Sequence, residues 1–234
     1  AAGGKSLIAF SPESAVTVLP VEFRLAVAIR KGRMLVDEAY VTTSGPATEG
    51  QPAIPYEKLN RPPLVTAPQV DTPPAIDGRV EKAEWQGAAK VLGFRGNVSG
   101  RLSPHQAETL LCYDRENLYV AFRSRYRSAS LKADVTGHDV GGLAGDDAVE
   151  VFLDPHPDDE VFFQLVGNSA GSYNDNRIVG SKRIRAYEGN WTFRNHVESE
   201  GRWFIGGVWE AELKVPFASM DVQTPQRGDV WRAN

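Results

Sequence analysis

The stretch GDDAVEVFLDPHPDDEVFFQLVGNSAG, residues 145–171, decides how the chain is read. DAVEVFLD and EVFFQLVGN carry the β-branched and aromatic residues of strands, and PHPDD between them is turn chemistry, so the two runs form a hairpin. If the first strand begins at Asp146, Glu150 and Asp154 share one face while Asp147 points to the other. Asp147 and Glu150 then cannot flank one bond. A glycosidase pair needs two convergent carboxyl groups about 5 to 9 Å apart, and this strand does not supply them. GNSAG fits the nucleophile-elbow string, but that turn needs a helix directly after the serine, and SYNDNR offers turn formers instead. Ser169 therefore reads as the end of a strand. What the hairpin does present is an outward polar row, Glu150, Gln164 and Asn168, suited to hydrogen-bonding a ligand.

Outward from the hairpin the same grammar repeats. ETLLCYD and NLYVAFRSR pair around Asp114-Arg115-Glu116, and RNHVES, GRWFIGGVWEAELKV and DVWRAN add further strands. PFASM is a helical turn opened by Pro216, and IDGRVEKAEWQGAAK predicts a turn at Asp77-Gly78 followed by a short helix over Glu81 to Ala89. Many short strands with Gly and Pro turns, and no internal repeat, predict an all-β fold, an antiparallel β-sandwich of jelly-roll type.

Near the start, VEFRLAVAIR alternates, Lys31-Gly32 turns, and RMLVDEAYVTT returns, which is a second hairpin. Residues 1–45 thus form a small β-hairpin unit, too small to bury its own core, that docks on the larger domain or ends another sandwich module. Eight of the 15 prolines fall between Pro46 and Pro74, so residues 46–74 read as a Pro-rich linker and 75–234 as the sandwich. The opening AAGGKS has no initiator Met and no basic-then-apolar leader, as expected of a processed chain or a fragment.

Composition removes whole classes of function. With 41% hydrophobic and 24% charged residues and a net charge of −4, the chain reads as globular, and it has no apolar run long enough for a membrane span. Nor does it carry the clustered Lys and Arg surplus of a nucleic-acid binder. The single Cys112, inside TLLCY, reads as a small core residue. Four histidines show neither HxxxH nor HExxH spacing, which argues against zinc.

Asp154, Asp158 and Asp159 in LDPHPDD offer hard oxygen ligands to calcium, against the plain alternative of a solvated turn. Trp209 alternates into the core. Trp191, after a Gly-Asn turn, is a candidate for stacking on the apolar face of a pyranose, with core or rim packing as its competing role; Trp203 is similarly open.

The order IDGRVEKAEW, YDRENLYVAFRS, DDAVEVFLDPH, FFQLVGNSAGSYND, VWEAELKVPFASM, GDVWRAN resembles the family 9 carbohydrate-binding modules and their DOMON-like superfamily relatives over residues 70–234. The resemblance implies a non-catalytic, bacterial, secreted, calcium-stabilised β-sandwich attached to polysaccharide-degrading enzymes, binding polysaccharide or oligosaccharide beside other domains of a larger parent. Glu150 and Asn168 match family positions that hydrogen-bond sugar hydroxyls, and Asn234 falls where another amide side chain sits. The family's two clamping tryptophans have no counterpart, because GHDVGGLAGDD lacks an aromatic residue and the second position lies beyond Asn234. Weak sugar binding, or a purely structural spacer, follows from that gap. Haem-binding relatives suggest a third reading, with Met220 and His196 as the axial pair. Met220 reads better as core, so no haem is expected.

Overall fold

The computed structural model describes the backbone of Ser6–Ser11, Val21–Arg30 and Arg33–Thr43, and residues 64–94, 103, 105–127, 130–156, 160–184, 187–199 and 206–233. Fourteen strands are present among these residues: β1 (Ser6–Ser11), β2 (Val21–Arg30), β3 (Arg33–Thr43), β4 (Leu64–Pro68), β5 (Ala89–Val91), β6 (Ala107–Tyr113), β7 (Asn117–Tyr126), β8 (Ala148–Asp154), β9 (Val161–Asn168), β10 (Tyr173–Val179), β11 (Lys182–Ile184), β12 (Thr192–Ser199), β13 (Gly207–Pro216) and β14 (Val230–Ala233). They make a seven-stranded sheet ordered β11-β10-β9-β8-β14-β1-β4, a five-stranded sheet ordered β12-β13-β7-β6-β5, and the separate ribbon β2-β3. Every pairing is antiparallel except β1 with β4. The chain is therefore an all-β sandwich, and the hairpins read from sequence are β2-β3, β6-β7 and β8-β9.

Alternation explains why the two large sheets stack. In the seven-stranded sheet Val151, Leu153, Phe163, Leu165 and Trp231 face inward; from the other sheet come Leu111, Tyr113, Leu118, Val120, Phe193, Leu213 and Val215. Leu153, Leu165, Leu118 and Val215 are wholly buried, and each such side chain contributes about 1.5 to 3 kcal/mol. Cys112 lies on the opposite face of β6, 1% exposed, and burial pushes its thiol up to about 12. It is inert core.

The outer face of the five-stranded sheet is covered too. Val80, Trp85 and Ala88 pack on Leu110, Cys112, Tyr119 and Ala121 as a second core. Glu212, outward on β13 and 0% exposed, ties this layer down by accepting the N–H groups of Asp77 (3.0 Å), Gly78 (2.8 Å) and Trp85 Nε1 (2.8 Å). The helix expected over Glu81 to Ala89 does not form: the segment is a run of turns, with one helical bond from Trp85 N–H to Glu81 C=O, and Ala89 already starts β5. So short a helix repays little of its nucleation cost, and anchoring Trp85 to Glu212 fixes the chain without it.

Within the Pro-rich stretch, Leu64–Pro68 is a strand at the sheet edge, where Pro68 interrupts no interior ladder. The rest of that stretch up to residue 63 lies outside the described residues.

Candidate functional site

Because Val151, Leu153, Phe163 and Leu165 face the core, Glu150, Phe152, Gln164 and Val166 occupy the outer face of the β8-β9 hairpin. Glu150 is exposed. Gln164 Nε2 donates to Glu150 Oε1, and Gln164 Oε1 accepts from Asn176 Nδ2 of β10 at 3.2 Å. The result is a polar row across three strands whose amides are oriented by one another. A carboxylate has about four acceptor positions, so Glu150 retains capacity for hydroxyl donors after this bond. Beside the row, on the same face, the half-buried rings of Phe152 and Phe162 lie 6.1 Å apart at 50°.

Asn168 is not part of this outward row. It is 0% exposed, and its amide is consumed: Nδ2 donates to the Val135 carbonyl (2.7 Å) and Asp146 Oδ2 (3.0 Å), while Oδ1 accepts from Ala170 N–H (3.1 Å) and Ser172 N–H (3.0 Å). The residue closes the β9-β10 turn and pins the preceding loop over it. Asp146 helps by accepting the Val135 N–H, which holds its carboxyl below the usual range; Asp147 accepts the Lys132 N–H, and Gly137 donates to Ser172 Oγ. Leu143 of the same loop is buried and leaves Ala144 exposed. Ser169 sits in the turn, its N–H donating to the Asp147 carbonyl at 3.3 Å, with no helix after it.

Trp191 is core rather than platform. It is 4% exposed, packs among the buried residues of the sandwich, and its Nε1 donates to Ser219 Oγ at 2.9 Å. A ring held this way has no face free for a sugar. Trp209 is also buried, while Trp203 and Asn234 lie outside the described residues.

Asp154 ends β8 and pairs with Arg232 Nη1 at 3.6 Å; Asp158 and Asp159 lie outside the described residues. Met220 belongs to the core with Phe193, whereas His196, three residues along β12 from Phe193, projects from the opposite face. The two do not converge on one site.

Sequence reasoning missed Asn176, Phe152 and Phe162. The signal for the phenylalanines was present: counting by twos from Glu150 puts Phe152 outside, and from Gln164 it puts Phe162 there. Asn176 gave no such signal, because its register against Gln164 depends on the length of the turn through Asn168.

No family model matches this chain, and no curated protein matches its sequence. Among solved structures it is similar to a candidate carbohydrate-binding protein from Bacteroides uniformis (14% identity, TM-score 0.47, covering 69% of this chain and 78% of that one). It is also similar to a family 9 carbohydrate-binding module from Caldicellulosiruptor kristjanssonii. The complex of that module with glucose has 15% identity, a TM-score of 0.45, and coverage of 70% and 76%. Its complex with cellotriose has 16% identity, a TM-score of 0.44, and coverage of 68% and 70%.

Proposed function

We propose that this chain is a non-catalytic carbohydrate-binding module that holds saccharides weakly on the outer face of β8, β9 and β10. The observation that carries the reading is the exposed Glu150 carboxylate, oriented by Gln164 and in turn by Asn176. Phe152 and Phe162 supply apolar surface beside it. Six sequence segments resembling family 9 modules support an accessory role next to a polysaccharide-processing domain in a secreted bacterial protein. With no aromatic residue in the loop GHDVGGLAGDD and with Trp191 buried, affinity rests on the polar row and a partial apolar surface. Hydrogen bonds to sugar hydroxyls are largely offset by lost water, so dissociation constants fall in the millimolar range, about −4 kcal/mol. The burial of Trp191 and the full engagement of Asn168 favour, as a second reading, a module that only packs against neighbouring domains.

The test is an NMR titration of the labelled chain with glucose and cellotriose to tens of millimolar. Saturable shifts at the backbone amides of β8 to β10, lost in Glu150→Ala with the fold intact, are expected. No shifts there would remove the binding reading and leave the spacer.

A further inference from the structure

On the other side of β10 from this polar row lies a second group of ionisable side chains. The ligand atoms of His138, Asp139 and Glu188 come within 4.8 Å of one another, all three residues being exposed. Two ligands on opposite sides of one ion with bonds of about 2.1 to 2.4 Å span just such a distance. Beneath them is Asp175, 5% exposed. Its Oδ2 accepts the Gly189 N–H at 2.7 Å, while Oδ1 is shielded from solvent and has no hydrogen-bond donor. Asp139 and Glu188 add like charges nearby that, after burial, raise the affinity of Asp175 for a proton. Two carboxylates so placed need a positive charge or a shared proton between them.

We propose that His138, Asp139 and Glu188, with Asp175 beneath them, form a binding site for one divalent cation of the Mn2+ or Zn2+ class. Three separate segments are held at the site by contacts of their own. His138 bridges to Tyr173 and lays its ring 4.2 Å from that of Tyr173, while Asp139 donates its N–H to the Tyr173 carbonyl at 3.1 Å. Asp139 does this with φ at 54°, in the left-handed region that costs a non-glycine residue energy. From the third segment, Gly189 approaches Asp175 only because it has no side chain: a Cβ there would stand 2.6 Å from Asp175 Oδ2. That approach sets Glu188 against the group. One imidazole with carboxylate oxygens suits a borderline ion better than calcium, which prefers oxygen throughout. The bound ion would neutralise the orphaned Asp175 oxygen and clamp the loop carrying His138 to β10. The site is independent of saccharide binding.

The experiment is titration of the chelator-stripped chain with Mn2+, reading free ion by its electron paramagnetic resonance. One ion per chain is expected. Asp139→Asn and Glu188→Gln, both at exposed positions that tolerate substitution, should each weaken binding at least tenfold. Zn2+ should displace the bound Mn2+ more effectively than Ca2+ does. No bound Mn2+ at millimolar ion would overturn the assignment. Undiminished binding in both variants, or stronger displacement by Ca2+, would equally overturn the assignment.

Discussion

Glu212 shows how much one side chain can hold together. Its carboxyl accepts three N–H groups from a segment more than 120 residues earlier, and two of those bonds are buried. Removing the acceptor leaves donors unsatisfied inside the protein, each costing about 1 to 3 kcal/mol. Glu212→Ala should therefore lower unfolding free energy by about 2 to 5 kcal/mol in urea denaturation; a loss below about 1 kcal/mol would mean that water replaces the carboxyl. The sequence could not announce this role. In VWEAELKV alternation makes Glu212 an outward residue, which is correct, but whether the outside is solvent or another layer depends on where Asp77–Trp85 docks. Asn168 failed in the same way. It reads as outward by parity, and it is buried because the loop through Val135 and Asp146 folds over it. Glu150 is exposed as read.

Elements were legible where period-2 alternation runs long enough to set a register. The β6-β7 and β8-β9 hairpins follow from their apolar runs and turn residues, while the short helix over Glu81 to Ala89 rested on local propensity that a tertiary contact overrides. Alternation also hides one close fit. On β9 the inward positions are Phe163, Leu165 and then Gly167, where the Phe193 ring from the opposite sheet takes the place of a side chain. A Cβ on Gly167 would meet that ring at 2.5 Å. Gly167→Ala should destabilise by about 1 to 3 kcal/mol through overpacking. Adding Phe193→Leu should cost less than its effect in the wild type, because the shorter side chain relieves the clash. A double-mutant cycle by thermal melting checks this, and strict additivity would show that the strands separate rather than collide.

At the scale of the whole molecule, two cores share the five-stranded sheet, and the outer one is latched by an ionisable group. Burial pushes the Glu212 carboxyl up to about 7, outweighing the Gly78, Trp85 and Asp77 donors that favour its charge. The unfolded chain has an ordinary carboxyl near 4.5, so between about 4.5 and 7 the folded state binds more protons than the unfolded one. Stability contributed by this group is thus fully present below the unfolded value and is lost as pH rises through the folded one. Its slope is at most about 1.4 kcal/mol per pH unit. Other carboxyls titrate in this range, so the quantity to measure is the difference between wild type and Glu212→Gln in urea denaturation at several pH values from 4.5 to 8. The wild type should lose stability relative to the variant as pH rises, levelling off once Glu212 is ionised. A difference that stays flat, or that grows in favour of the wild type, would mean that the three N–H donors win over burial and that the latch is closed by its charge.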